Sequence, residues 1–267
     1  MNMIRSTFFA LLLGTSGTMA NAADFPYPET PTYGGGEETL VEFGSGWYLR
    51  GDVGLSKNSV DGVKYRQSSS AFTGDFEQYD LQEGFTLGAG IGYQLTNNIR
   101  IDATYKHHSS MDFTGSSAQG VVCASTVGTC DYSDDASLSI DTYMVNGYLD
   151  LGNYGGFTPY VGAGAGIAAV NWADMTNAEE CATGPCTLAP SSNHGGREEK
   201  SFAYSLHTGF AFDIAKQTKM DIGYSFTHID GGSMFDFEST NAMSGEQGVH
   251  GDLKIHNISA GIRYSVW

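Results

Sequence analysis

Apolar and polar side chains alternate with a period of two in eight separate segments of this chain. Between Phe85 and Gln94 every odd position is apolar, whereas every even position is glycine or a polar residue. Because successive side chains of a β-strand point to opposite faces, this period predicts a strand with one apolar and one polar face. The same pattern predicts seven more strands, which begin near Trp47, Ile99, Tyr143, Tyr160, Phe202, Met220 and Ile258.

The segments between these strands alternate in length. Short turns near residues 94–98, 152–156 and 215–218 alternate with long polar segments that span roughly residues 56–83, 108–137, 170–200 and 229–250. This asymmetry is typical of barrels in bacterial outer membranes, which have short periplasmic turns and long external loops. We therefore predict an all-β protein, an eight-stranded antiparallel transmembrane β-barrel with four long extracellular loops.

Charged residues on the polar faces indicate which face points inward. A basic side chain that faced lipid near the bilayer centre would cost a few kcal/mol, whereas opposite charges in a narrow lumen can pair. We therefore predict that the apolar face contacts lipid and that the interior is packed and polar. The predicted charge network of the lumen comprises Arg50, Asp52, Arg100, Asp102, Lys106, Asp150, Asp213, Asp221 and Arg263.

The first 45 residues do not show this alternation. Residues 1–22 combine Arg5, an apolar run and the small-residue sequence Ala20-Asn21-Ala22, which predicts a secretory signal peptide. Residues 23–45 are rich in proline, glycine and acidic residues, so we expect a flexible periplasmic segment before a barrel at 46–267. The formal net charge of −17 argues against nucleic acid as a partner.

Four cysteines occur as two close pairs inside predicted loops. Cys123 precedes Cys130 by seven positions, and Cys181 precedes Cys186 by five. Because an exported protein meets an oxidising compartment, we predict two local disulfides. Metal binding is the alternative, but no histidine lies at ligand spacing beside either pair. We predict no metal site and no cofactor.

Several segments resemble the outer-membrane β-barrel domain family that includes opacity-type surface antigens and OmpA-like transmembrane domains. They include GWYLRGDVGLS, FTLGAGIGYQLTNNIRIDATY and ISAGIRYSVW, and the resemblance spans about residues 46–267. It implies a monomer in the cell outer membrane that contacts lipid, lipopolysaccharide and the barrel-assembly machinery. Such barrels usually end on an aromatic residue of the lipid-facing stripe. Tyr264 and Trp267 are thus the expected assembly signal, although Trp267 falls on the face opposite to Tyr264.

The resemblance implies a non-enzymatic structural or surface role, with adhesion to a host or cell-surface ligand through the loops. A narrow porin for small solutes or ions and a lipid A-modifying enzyme are the alternatives. Residues for catalysis exist, namely His107, His108, His194 and His228 with Asp230 and Ser233. However, His107 and His108 must face opposite sides of a strand, and spacing alone does not establish a catalytic site. We predict no catalytic residues.

Overall fold

The computed structural model describes residues 46–66, 73–76, 78–122, 128–183, 191–236 and 246–266. The predicted signal peptide at 1–22, the predicted flexible segment at 23–45 and Trp267 lie outside these residues. Within the described part of the chain, no α-helix has the length and apolarity needed to cross a membrane.

All regular structure in the described residues is β-strand, which confirms the predicted fold class. The strands in chain order are β1 (Trp47–Val60), β2 (Val63–Arg66), β3 (Thr73–Asp75), β4 (Gln78–Leu81), β5 (Gly84–Gln94), β6 (Ile99–Val122), β7 (Thr129–Asp150), β8 (Phe157–Trp172), β9 (Met175–Thr183), β10 (Ser192–His194), β11 (Glu198–Ala215), β12 (Thr218–Ile229), β13 (Gly232–Asp236), β14 (Glu246–His250) and β15 (Leu253–Ser265).

Eight long strands of the described chain form a closed antiparallel barrel. The order around the ring is β1, β5, β6, β7, β8, β11, β12 and β15, and β15 pairs again with β1. Leu55 of β1, for example, lies opposite Phe85 on one side and Ile258 on the other. Each barrel strand therefore has two hydrogen-bonded neighbours, as a structure inside a bilayer requires.

The two faces of the barrel strands have the predicted orientation. On the outside, Leu55 is 71% exposed and Ile258 is 67% exposed, although both are aliphatic. On the inside, Asp52, Arg100 and Arg263 are buried despite their charge. A soluble barrel has the reverse polarity, so this pattern is that of a protein solvated by hydrocarbon.

The short turns lie at one end of the barrel. In the turn between β7 and β8, Gly155 and Gly156 have φ angles of 67° and 94°, which L side chains rarely adopt. The Asn153 side chain accepts a hydrogen bond from the backbone N–H of Gly156 and holds the turn closed. We call this the short-turn end and the opposite one the long-loop end.

The described parts of the predicted long loops are largely strands, which differs from the sequence prediction. β6 and β7 continue to Val122 and back from Thr129, and β9 and β10 extend the same sheet. A second sheet contains β13, β14, β2 and β3 in that order. The barrel wall is therefore prolonged beyond the predicted ends of its strands.

The interior also differs in part from the packed, polar one that we predicted. Towards the long-loop end, the inward-facing side chains become apolar and pack with residues of the added strands. This long-loop core comprises Val60, Val63, Phe76, Leu81, Met111, Phe113, Leu138, Ile140, Met144, Ala168, Val170, Trp172, Met175, Ala203, Ile229, Met234, Phe235, Leu253 and Ile255. The lumen thus contains a polar section and an apolar section.

Candidate functional sites in the lumen and at the rim

Arg50 is a centre of the polar section of the lumen. Its Nη1 atom lies 3.0 Å from Asp102 Oδ2 and 3.1 Å from the Tyr148 hydroxyl, and its Nη2 atom lies 3.5 Å from Asp52 Oδ2. Lys106 Nζ approaches the other oxygen of Asp52 at 3.5 Å. Alternating positions on neighbouring strands thus bring opposite charges to the barrel axis.

Arg100 fills the neighbouring part of the lumen and is 1% exposed. Its Nε atom donates to Asp150 Oδ1 at 3.2 Å. Its guanidinium carbon lies 3.8 Å from the centroid of the Tyr148 ring and 4.9 Å from that of Tyr160. Cation–π contacts of this kind stabilise a buried guanidinium that has few carboxylate partners. Both tyrosines are buried on the inward face, and the sequence analysis did not single them out.

The remaining charges occupy two different positions. Arg263 Nη2 donates to Asp221 Oδ1 at 2.9 Å, and both side chains are at least nine-tenths buried. Asp213 instead lies at the exposed short-turn rim, where its carboxylate is 2.6 Å from Lys219 Nζ. A register shift in β11 directly after Asp213 marks the end of the regular ladder. Eight of the nine predicted network residues therefore line the lumen.

The packed charges leave little open volume around Arg50. A cavity of about 30 Å³ lies between Arg50, Tyr148, Tyr160 and His207. A water molecule needs about 10–15 Å³ on this measure, so the cavity has room for about two waters. A larger cavity of about 340 Å³ opens at the short-turn end beside Lys216 and the aromatic ring of Tyr48.

At the long-loop end, an outward-facing cluster forms around His228. Its Nε2 atom lies 3.6 Å from Asp230 Oδ1 and 3.5 Å from Asp252 Oδ2. Sequence reasoning paired His228 with Asp230 but missed Asp252, because only the β12–β15 register brings that residue close. Ser233 is buried on β13, and its backbone N–H donates to Glu199 Oε2 at 2.6 Å. The Ser233 side chain also hydrogen-bonds Glu199.

The other histidines of the sequence analysis lie in separate places. His107 faces outward, and its Nδ1 atom is 2.8 Å from Asp141 Oδ1, which also accepts a hydrogen bond from Tyr105 at 2.7 Å. His108 is 2% exposed and faces the interior, as the alternation predicts. His194 lies on β10, with Nε2 3.4 Å from Ser192 Oγ.

Burial and hydrogen bonds shift the pKa values of several titratable groups at the long-loop end. A hydrogen bond from the Ser233 backbone N–H lowers the pKa of Glu199. Burial lowers the pKa of His250, whose Nδ1 atom is 2.6 Å from the Gly251 carbonyl oxygen. Burial raises the pKa of Tyr132 to about 12. These pKa shifts therefore depend on the packing of the added strands.

Two of the four cysteines lie within the described residues. Cys130 and Cys181 are both disulfide-bonded, and they are register partners on β7 and β9. Cys123 and Cys186 lie outside the described residues, so the predicted local pairing stays a prediction. Tyr264 faces outward, and its hydroxyl lies 3.3 Å from Gln217 Oε1. Its role in assembly also stays a prediction.

Comparison with known proteins gives the family. The sequence profile of the outer membrane protein β-barrel domain family matches residues 8–265. An uncharacterized protein of Brucella abortus is 31% identical over 94% of each chain. A protein of Rickettsia bellii whose name describes it as a candidate adhesin is 27% identical over 82% of this chain and 88% of its own.

Solved structures with similar folds are much more distant in sequence. Neisserial surface protein A is 16% identical, with 83% of this chain and 97% of that chain covered and a TM-score of 0.41. OprG of Pseudomonas aeruginosa is 14% identical, with the same coverage and a TM-score of 0.45. The family match extends over nearly the whole sequence. The chain therefore belongs to the outer membrane protein β-barrel domain family and is a protein of the outer membrane.

Proposed function

We propose that this protein is a non-enzymatic surface barrel that presents its long-loop end for adhesion to a host or cell-surface ligand. The observation that carries this proposal is the long-loop core. Trp172 of β8 is 1% exposed, and its ring centroid lies 5.4 Å from that of Phe113 on β6 and 5.6 Å from that of Phe235 on β13. These contacts fix the second sheet to the barrel wall.

A rigid outer layer suits binding at a surface. A partner that meets ordered strands need not pay for ordering them on binding, so preorganisation favours affinity. The Rickettsia bellii relative is named as a candidate adhesin, and its similarity covers 82% of this chain. That name agrees with a binding role at the end that faces away from the cell.

The filled lumen supports display of a surface over transport. Arg50, Asp102 and Arg100 cross the polar section, and the cavity beside Arg50 measures about 30 Å³. A hydrated solute or ion needs a continuous water path through the lumen, and a cavity with room for about two waters does not provide one. We therefore expect the purified protein to give no large, stable openings in a planar bilayer.

Adhesion is tested by surface expression in a non-adherent Gram-negative laboratory strain. Cells with the protein should bind cultured host cells or extracellular matrix more than cells with an empty vector. Glu180 and Glu198 are exposed on β9 and β11 at the long-loop end, so the double variant Glu180→Lys, Glu198→Lys should reduce binding. Asn97→Lys adds a charge at the exposed short-turn end and should leave binding unchanged.

Surface amounts of each variant are equalised by protease accessibility before binding is compared. The proposal fails if wild-type cells adhere no better than empty-vector cells, or if Asn97→Lys reduces adhesion as much as the double variant. Large stable conductance steps from the purified wild type would instead favour the narrow porin.

A further inference from the structure

The cluster around His228 has the donor atoms of a metal site. His228 is near the end of β12, Asp230 directly follows this strand, and Asp252 directly precedes β15. One ligand atom from each residue lies within 4.8 Å of those of the other two. We propose that this cluster binds one divalent transition-metal cation of the Zn²⁺ class.

The two separations from the His228 nitrogen match a tetrahedral cation. Zn²⁺ binds imidazole nitrogen and carboxylate oxygen at about 2.0–2.2 Å, and the edge of such a tetrahedron is about 3.4 Å. His228 Nε2 lies 3.5 Å from Asp252 Oδ2 and 3.6 Å from Asp230 Oδ1. Both distances are close to this edge, and the two carboxylate oxygens lie within 4.8 Å of each other, so small rotations of the aspartate side chains bring all three atoms around one cation.

Neighbouring groups hold the ligands in place. The His228 ring stacks on Tyr204, with centroids 4.8 Å apart and an interplanar angle of 23°. The backbone N–H of Gly231 donates to Asp252 Oδ1 at 3.2 Å, which leaves Oδ2 directed towards His228. Metal ligands are commonly oriented by such outer hydrogen bonds and contacts. The site is thus largely preorganised on two paired strands.

The nearby lysine on this face, Lys254, already has an acidic partner. Lys254 is the register partner of His228, so both side chains lie on the outer face of the sheet. Lys254 Nζ pairs with Asp61. Lys254 also feels the charge of Asp252, but its single positive charge is shared with Asp61, so the group of carboxylates around His228 keeps a net negative charge that favours a bound cation.

The donor set also selects among cations. Ca²⁺ takes six to eight oxygen ligands and Mg²⁺ keeps an octahedral shell, whereas one imidazole and two carboxylates suit zinc-like ions. Three protein ligands leave the fourth position open to water or a phosphate oxygen. The cluster faces outward just beyond Phe226 and Tyr224 of β12, where lipid headgroups meet the barrel.

The test is calorimetric titration of the tag-free protein, purified from outer membranes in detergent and treated with a chelator. Zn²⁺ should bind once per chain, and Ca²⁺ and Mg²⁺ should bind more weakly. His228→Phe keeps a ring against Tyr204 but removes the ligand, and Asp252→Asn keeps an acceptor for Gly231 but removes the charge. Each substitution should weaken Zn²⁺ binding about tenfold or more.

His256→Phe is the matched control. Like His228, His256 faces outward, but it lies on β15 and its Nδ1 atom is 2.7 Å from the Tyr224 hydroxyl. Its substitution should leave Zn²⁺ affinity unchanged. The heat-dependent gel shift of folded barrels shows that each variant is folded, and Asp230→Asn replaces any variant that is not.

Spectroscopy separates a metal site from a simple ion pair. Bound Cu²⁺ should show coupling to one nitrogen in its electron paramagnetic resonance spectrum, and His228→Phe should abolish this coupling. The proposal is overturned if the wild type binds no Zn²⁺, or if folded His228→Phe and Asp252→Asn bind it as tightly as the wild type does.

Discussion

Replacing Trp172 by alanine should loosen the long-loop end without opening the barrel. The indole is 1% exposed and packs edge-on against Phe113, so its removal leaves a cavity in the long-loop core. Truncation of a buried tryptophan or phenylalanine costs about 3–5 kcal/mol. Every 1.4 kcal/mol is a factor of ten, so amide protection of the added strands should fall about 100-fold or more.

Hydrogen exchange followed by mass spectrometry in detergent micelles measures this effect. Peptides from β13 and β14 should lose protection in Trp172→Ala, whereas the short-turn halves of β1 and β15 should keep theirs. Ile167→Ala is the control, since Ile167 lies on the same strand but is 53% exposed on the outer face. If β13 and β14 exchange equally in all three proteins, the core does not hold the second sheet.

Two further predictions concern buried charge. Asp102→Ala leaves Arg50 and Arg100 without a shared carboxylate, which should cost about 3–5 kcal/mol and lower the urea midpoint of unfolding. Asp80→Ala, at an exposed site, should leave the urea midpoint unchanged. Equal midpoints for Asp102→Ala and Asp80→Ala would refute the stabilising role of the charge network. Because burial lowers the pKa of His250, despite the opposing charges of Glu199 and Asp252, neutral His250 should stabilise the long-loop end fully above about pH 6.5. That stabilisation should be lost as the pH falls below this value. Below this pH, a protease should therefore cut β13–β14 faster in the wild type, whereas the cutting of His250→Phe should not change with pH.

The barrel was predictable because its signal is local. Alternation within one strand separates its two faces, and the charges on the polar face show that this face points inward. Arg50 and Asp102 were assigned to the same lumen on that basis. Partner choice was not predictable, since it depends on register between strands. The link between His228 and Asp252 is of this kind, because it rests on the pairing of β12 with β15.

The added strands escaped prediction for two physical reasons. On β8, the inward face is glycine at Gly164 but apolar at Val170 and Trp172, whereas the outward face is polar at Asn171, so the polarity of the two faces is reversed. On β6, an irregularity between His108 and Met111 resets the alternation. Odd positions face outward up to His107, but the odd-numbered Met111 faces inward. Such segments resemble loops when they are read with a single period.

The return of β15 to β1 has a consequence for how the protein enters the membrane. Tyr48 and Ser265 are register partners, so the first and last barrel strands meet at the short-turn end. Both extremities of the barrel can therefore stay on the side from which the chain arrives. Only the long-loop end has to be carried across the bilayer, and Phe113 and Phe235 travel with it. These aromatic side chains become shielded from water only when they pack together around Trp172.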